Sequence, residues 1–510
     1  MIQVIFYPIP VDLGCLGCWG SHRNKKRSGT TNDGGIPPEG ETLMLKLKKT
    51  PITSEKVINP YGNNPLGVKA GPYLFLSGLM GFHPDRPSIV TDYADLPDED
   101  IPYAFHQIAP DSREGPGVTQ AWRIFQQLKT ILEEQGSNID ETLWLWYSWL
   151  NMRDLPAQTR VRTNFFTETG PPGTAFEVSE FPLREAVHQI GAIAVVPVDG
   201  QWPVRKEVLR SKKFDQIAVG NYLMATRAGN LTFFAGMIGV DMERRIVLHS
   251  FEEAGVESPI RFDTAAARRQ CEPIAVQTWA IYDQYEKILA EHGGTMQNLV
   301  KQIIYLRDVN DFPIVEEVAR RFFQETPPAT TVIQIGQLAV PTYRIEIEAF
   351  ASVPPEPAAS DLPVSISSAA GVEPWGRHAL ATRADGLLFL SGLMADIPGS
   401  NRMVQGYRDL DGEEKGMATG SLVSDHLEGP AGAQAWRVFE KARKVLESQG
   451  ASMDAVVKIS VYLQDIRDLP IVERVANRFF PQDPPATMIL EVPDLPLPRA
   501  LIELDVIALA

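Results

Sequence analysis

The sequence predicts an α+β protein assembled from three copies of one domain, and three observations carry that reading. Gln120-Ala-Trp122, Gln277-Thr-Trp279 and Gln434-Ala-Trp436 are evenly spaced, since 277 − 120 = 157 and 434 − 277 = 157. The pairs Phe165/Phe166, Phe322/Phe323 and Phe479/Phe480 keep that interval. Pro171-Pro172, Pro327-Pro328 and Pro484-Pro485 follow within one residue of it, and the segments around Gly78, Gly236 and Gly392 recur with them. Unrelated landmarks sharing one period mark internal duplication, here of a unit of roughly 140 residues. Within each copy, apolar residues change from strand alternation to helical spacing and back, which is the mixed pattern of an α+β layer.

The middle copy is the easiest to follow. Tyr222–Ala225 and Leu231–Ile238 are apolar runs separated by Ala228-Gly229-Asn230, a hairpin signature. Pro273 is read as a helix start, because proline's missing N–H is not needed at the first helical position. Trp279, Tyr282, Tyr285 and Leu289 recur on one face of that helix, and His292-Gly293-Gly294 ends it through a positive-φ glycine. Val300–Leu306 is a strand, and Pro313 starts a second helix with Val315, Val318 and Phe322 inward. Thr331–Ile335 and Ile345–Phe350 close the unit as strands. The order is β-β-α-β-α-β-β, with helices on one face of a mixed sheet. The three repeated tryptophans read as core. In Trp144-Leu-Trp146-Tyr147-Ser-Trp149, alternation sends Trp144 and Trp146 to one face and Tyr147 and Trp149 to the other. One set forms either an aromatic wall for a planar ligand or packing under a helix.

The domains are placed at 46–200, 201–355 and 356–510, after an extension over 1–45. Residues 196–213 and 353–373, rich in proline and polar groups, read as exposed connections. The 44% apolar and 22% charged residues are ordinary for a globular chain and exclude extensive disorder. The net charge of −16 repels phosphates, so no nucleic-acid partner is expected. No apolar run reaches the roughly 18 residues that span a bilayer, so no membrane partner is expected. Three cysteines, Cys15, Cys18 and Cys271, make no disulfide framework, which fits a reducing, cytoplasmic setting. Cys15 and Cys18 have metal-ligand spacing, but with only His22 nearby they read as part of a tail.

Several motifs together are similar to the reactive-intermediate deaminase family, RidA/YjgF-like. They are Ser77-Gly-Leu-Met80, Gln-x-Trp, Gly450-Ala-Ser-Met453, Asp465 with Asp468-Leu-Pro, Arg-Phe-Phe, Pro-Pro-Ala-Thr and Ile345-Glu-Ile-Glu-Ala349. The resemblance covers each copy nearly end to end. It implies a chorismate-mutase-like fold and trimers whose ligand clefts lie between subunits. Three such copies in one chain imply an intramolecular pseudo-trimer, with sheets facing a central barrel, helices outside and three inequivalent clefts. Larger assemblies of that ring stay open. The long segment between Gly78 and Gln120, mirrored in the other copies, is expected to form lobes near the cleft mouths.

The resemblance also implies an arginine after the Pro-Ala motif that clamps a substrate carboxylate through two parallel donors. Thr174, Thr330 and Thr487 stand there instead, so the usual 2-imino acid deaminase activity is not expected. The acid of the last strand is matched to Glu348 and Asp505, and to Gly191 in copy one. The aromatic position near the start corresponds to Asn64, Tyr222 and His378. The residue before the glycine is Ser77, Ala235 or Ser391, and a position on the second helix is Thr159, Glu316 or Glu473. Chemistry is expected at clefts lined by Glu348 or Asp505, with Tyr222, N–H groups near Gly236, and Thr330 as helpers. Hydrolysis of a C=N bond needs a carboxylate to activate water and a donor to polarise nitrogen. The plainer reading of Glu348 is a solvated strand residue, and that of His378 a surface residue at a strand start. Lys69, Arg227 and Arg383 read either as a replacement clamp or as solvated strand-end cations.

Thr174, Thr330, Thr487, Ser77, Gly78, Gly236, Ser391, Gly392, His378, Arg227, Arg383, Glu316 and Glu473 are the substrate-binding candidates, and Glu348, Asp505 and Tyr222 the catalytic ones. No phosphate loop, nicotinamide fingerprint or metal-ligand cluster stands out, so no cofactor is expected. The functional expectation is a small-molecule, deaminase-like hydrolase of a C–N compound. The alternatives are a non-catalytic metabolite-binding protein and a lyase on a chorismate-like acid, which Arg227, Arg344 or Arg383 would serve.

Overall fold

A computed structural model describes residues 47–96, 115–166, 170–211, 222–323, 327–355, 362–400, 402–410 and 422–510. The extension over 1–45, with Cys15, Cys18 and His22, lies outside the described residues. The first unit contains β1 Lys49–Ile52, β2 Gly67–Ala70, β3 Tyr73–Leu76, β4 Leu79–Met80, α1 Gly115–Glu134, β5 Thr142–Trp149, α2 Leu155–Phe165, β6 Gly173–Glu177 and β7 His188–Val195. The second contains β8 Glu207–Leu209, β9 Ala225–Ala228, β10 Leu231–Ile238, β11 Val240–Asp241, β12 Ile246–Val247, α3 Phe251–Ala254, α4 Ala265–Glu291, β13 Leu299–Leu306, α5 Phe312–Ala319, β14 Ala329–Gln334 and β15 Ile345–Ser352. The third contains β16 Val364–Ile366, β17 Ala381–Ala384, β18 Leu387–Leu390, α6 Leu422–Ser448, β19 Val456–Leu463, α7 Leu469–Phe479, β20 Ala486–Glu491 and β21 Ile502–Leu509.

The three main sheets follow one strand order: β1-β2-β3-β7-β5-β6, β8-β9-β10-β15-β13-β14 and β16-β17-β18-β21-β19-β20. Within each, only the pair on either side of the second helix is parallel, as a strand–helix–strand crossover requires. The linkers expected at 196–213 and 353–373 contain β8 and β16. These three-residue edge strands pair with β9 and β17 and are too short to show periodicity. The long helix of the second unit begins eight residues before Pro273. Thr264 caps it, its hydroxyl accepting from Ala267 N at 3.0 Å, and the alanines that follow carry the helix into the proline. Pro313 does stand in the first turn of α5. Trp122, Trp279 and Trp436 are only half-buried, and Trp122 and Trp436 lean on Phe165 and Phe479 at 4.8 and 5.0 Å.

Each sheet buries both faces. One face meets its own helices. The other contributes to a single apolar cluster drawn from all three sheets, including Trp144, Trp146, Tyr305, Phe350 and Tyr462. Tyr147 and Trp149 pack on the helix side of β5, so the alternation holds and neither set forms an exposed wall.

A break in the third strand of each sheet frees backbone for contacts between units. Ser77-Gly78 separates β3 from β4, while Ala235-Gly236 lies within a register shift of β10 against β15. Gly78 N donates to Thr487 O at 3.0 Å and Thr487 N donates to Ser77 Oγ at 2.9 Å, joining the first unit to the third. Gly392 N and Thr330 O, with Thr330 N and Ser391 Oγ, repeat this between the third unit and the second, at 3.0 and 2.8 Å. Elsewhere Gly336 N donates to Glu177 O, Ser179 N to Glu491 O and Gln334 N to Asp494 O, so each unit contacts both others.

The glutamine of Gln-x-Trp has the same task three times. Gln434 Nε2 donates to Val404 O and Arg499 O, both at 2.9 Å, and Oε1 accepts from Leu501 N at 2.8 Å. Gln120 and Gln277 make the equivalent bonds. Each ties the long helix to the segment before it and to the entry of the last strand. Replacing Gln434 with leucine removes three hydrogen bonds to backbone groups, and urea unfolding should show a loss of at least ~2 kcal/mol. A change below about 0.5 kcal/mol would show that the amide is not a structural tie.

Candidate functional site

Three seams between units hold most of the sequence-predicted positions, each built from the threonine and second helix of one unit and the glycine of another. They differ in what fills them.

The seam between the third and first units is open. A cavity of about 270 Å³ lies between α7 and the loop before β2. Its polar lining is Asn63, Asn64, Glu473, Asn477 and Thr487, over an apolar floor that includes Ile459, Phe439 and Phe480. None of its lining residues is Lys, Arg or His. Glu473 projects from α7 towards Gly62, where a Cβ would collide with its carboxylate. Partial burial pushes the Glu473 carboxyl above its ordinary pKa. The Thr487 hydroxyl donates back to Pro485 O at 3.0 Å.

The seam between the second and third units is nearly closed, with a cavity of about 20 Å³, room for about one water. Glu316, Gln302, Thr330 and His378 face it. Gln302 Nε2 donates to Thr330 Oγ1 at 3.0 Å, and Glu316 accepts from Arg377 N at 2.6 Å. His378 is not the surface residue its position implied. It is 7% exposed, its ring lies 5.0 Å from that of Trp375, and neither ring nitrogen has a hydrogen-bond partner among the described residues. Burial, then the charge of Lys301, holds its pKa down to about 3.

The seam between the first and second units is filled. Arg162, fully buried on α2, stacks its guanidinium 3.5 Å from the centre of the Tyr222 ring and donates to Pro171 O at 3.0 Å. Ala319 and Ala476 occupy the matching helix positions of the other copies. Tyr222 is therefore a packing partner of this arginine.

Glu348 and Asp505 lie in the shared interior. Glu348 accepts from Trp146 Nε1 at 2.7 Å and Tyr305 OH at 2.9 Å, while burial pushes its pKa to about 7. Asp505 pairs with buried Lys301, which also donates to Leu390 O at 2.6 Å. The structure does not join Glu348, Tyr222 and Thr330 into one group, because Tyr222 and Thr330 belong to different seams. The two seams expected to be active are the closed ones, and the acid-free copy one borders the open cavity.

Sequence reasoning missed Glu346 and Glu503. Each lies against the glycine of its seam, Gly236 and Gly392, with Gln189 against Gly78. Burial keeps both acids protonated well above the ordinary carboxylate range. Alternation cannot separate Glu346 from Glu348, since both point to one face. The internal comparison can: 189, 346 and 503 are polar in all three copies, whereas position 191 is glycine.

The arginines considered as clamps are engaged elsewhere or lie outside the seams. Arg227 pairs with Glu207 at 2.7 Å, Arg344 with Asp311 at 2.7 Å, and Arg383 is exposed on β17. Among the described residues there is no cluster of three or more metal-ligating side chains, and no helix long and apolar enough to cross a membrane.

Comparison with known proteins follows this geometry. A RutC family protein of Saccharolobus solfataricus is 39% identical over 90 residues, covering 18% of this chain and 68% of that protein. The chain belongs to the RidA/RutC family. The family profile described as Endoribonuclease L-PSP matches residues 263–353 and 370–510 of this RidA/RutC protein. The 3-aminoacrylate deaminase RutC of Acinetobacter baylyi is 28% identical over 132 residues, 26% of this chain and 86% of that one. A chorismatase crystal structure is 14% identical, covering 72% of this chain and 93% of its own, with a TM-score of 0.43.

His378 gives this RidA/RutC protein a pH signature. Its folded pKa of about 3 lies below the unfolded value near 6.5, so the unfolded chain takes up the proton first. The neutral ring's contribution to stability is complete above about pH 6.5 and is lost as pH falls towards 3. Between pH 6 and 4, wild type should lose up to ~1.4 kcal/mol more per pH unit than His378→Gln, measured by urea unfolding. Parallel pH dependences would mean that the ring is solvated.

Proposed function

We propose that this chain is a small-molecule hydrolase of an uncharged or cationic C–N compound, working at the seam between its third and first units. In this reading the three units, with boundaries near 46–200, 201–355 and 356–510, close on one another as an intramolecular pseudo-trimer. The shared strand order and the seam hydrogen bonds support that arrangement. The observation that carries the functional reading is the cavity of about 270 Å³ with one carboxylate, Glu473, and no cation among its lining residues. An acidic ligand would face that carboxylate without a counter-charge. An imine, enamine or amine meets a proton donor and the amide groups of Asn63, Asn64 and Asn477.

Glu473 suits proton transfer because burial raises its pKa towards working pH. It protonates the nitrogen of the C=N bond while water attacks the carbon. The carboxylate takes a proton from the added water to give a neutral carbinolamine and returns it to the nitrogen. As the C–N bond breaks, the hydroxyl proton passes to the carboxylate, releasing ammonia or an amine and leaving a carbonyl product with Glu473 protonated again. Relatives named as deaminases support the reaction class, and the missing clamp changes the substrate class.

A second reading, binding without turnover, is favoured by Gln189, which holds at this seam the place that Glu346 and Glu503 hold at the others. Full-length protein should be screened against neutral and cationic imines and amines, following melting temperature and carbonyl or ammonia release. On the hydrolase reading, Glu473→Gln lowers turnover at least ~100-fold while a bound product analogue keeps its affinity within ~10-fold. Ligands that bind both proteins without turnover would establish the second reading. Ready hydrolysis of 2-imino acids would overturn the substrate assignment.

A further inference from the structure

A second cavity lies away from the seams, on the outer side of the middle unit, where β11, β12 and α3 pack on α4. It measures about 200 Å³. Its origin is legible by comparing the units. In the first unit Arg123 on α1 fills the space between helix and lobe, its Nε donating to Phe82 O at 2.9 Å and its Nη1 to Gln126 Oε1 at 3.3 Å. The period of 157 puts arginine again at Arg437 in the third unit, but Ala280 in the second. Val240 corresponds to Phe82, since each follows a glycine, Gly239 or Gly81, pressed against the Gln-x-Trp glutamine. Asp283 corresponds to Gln126. The middle unit therefore keeps the groups that receive a guanidinium, with one of them converted to a carboxylate, and lacks the guanidinium.

The cavity wall also holds an unsatisfied acceptor. Gln284 is 3% exposed, and its Nε2 donates to Ile238 O at 3.1 Å and Val240 O at 3.5 Å. That fixes the amide orientation and leaves Oε1 without a hydrogen-bond partner. Asp241, Glu243 and Asp283 supply negative charge at the rim, and Trp279 and Met242 an apolar wall. Arg244 pairs with Asp241, and Lys287, which also lines the cavity, pairs with Asp283. Such half-exposed pairs contribute little and yield readily to a better-placed donor.

We propose that this cavity binds an alkylguanidinium group, which takes the place of the side chain that position 280 has lost. The planar cation donates to Asp283, Gln284 Oε1 and Val240 O, and its alkyl stem lies along Trp279.

The test is isothermal titration calorimetry of the full chain with ethylguanidinium and with ethylurea, its neutral isostere. Ethylguanidinium should bind saturably and at least ~10-fold more tightly than ethylurea. Ala280→Arg, which fills the cavity from within, should abolish the signal, with circular dichroism confirming its fold. If that variant does not fold, Asp283→Asn serves: guanidinium affinity should fall ~10-fold with that for ethylurea unchanged. Competition by acetyl-arginine-amide would assign the natural source to a protein side chain, and its failure would assign it to a free small molecule. Either result requires the site. Equal affinity for the two isosteres, no saturable binding to wild type, or undiminished binding to folded Ala280→Arg would overturn the proposal.

Discussion

The backbone hydrogen bond from the N–H of Gly78 to the carbonyl of Thr487 joins a strand break in the first unit to the third unit. It forms because the third strand of the first sheet breaks at Ser77-Gly78, turning an N–H away from its own ladder. A buried amide must find an acceptor, and the neighbouring unit presents one on the edge strand β20. The serine hydroxyl completes the exchange by accepting from Thr487 N. The same two bonds recur at Gly392 and Thr330. With the seams fixed in this way, the sheet faces can share one apolar interior, and that interior can hold Lys301 beside Asp505 and Glu348 beneath Trp146 and Tyr305. Buried charges of this kind are tolerable only when fully partnered, so the interior depends on the contacts between units.

Three units of unequal sequence in one chain need not make three like seams. One helix position decides much of the difference. Arg162 closes the first seam by stacking on Tyr222, whereas Ala319 and Ala476 leave space. At the second seam His378 lines the small cavity that Ala319 borders, with Trp375 packed against its ring and against Phe312. The third has small polar residues, Asn63 and Asn64, opposite α7, and it opens to a ligand-sized cavity. The same logic operates outside the seams, where Ala280 in place of an arginine leaves a hollow under the middle lobe.

Much of this was legible in the sequence, at the level of period and phase. The interval of 157 residues agrees with three sheets of one strand order, and alternation in Trp144–Trp149 correctly sorted its aromatic residues between two faces. The edge strands at 207–209 and 364–366 were not legible, because three residues carry no period and their surroundings have linker composition. Pro273 misled because a proline is compatible with both a helix start and a helix interior, and the capping threonine nine residues earlier gives the stronger signal. At the candidate site, the threonines, serines and glycines were singled out because they recur. Glu348 was matched through the family resemblance to the acid of the last strand, and alternation could not weigh it against Glu346, since a two-residue spacing puts both on one face. Which of them meets the seam depends on where the neighbouring strand breaks, and that is a tertiary fact. The openness of a seam was not legible either, since it depends on whether an arginine on one unit finds a tyrosine on another.

Hydrogen exchange at the amide of Gly78 tests the closed arrangement most directly, because its acceptor belongs to the far end of the chain. Exchange as slow as in the central strands β5 and β7, opening only with global unfolding, is the predicted result. Exchange at the rate of an exposed loop, with β5 and β7 still protected, would mean that the first and third units do not meet, and the open seam would lose one of its walls.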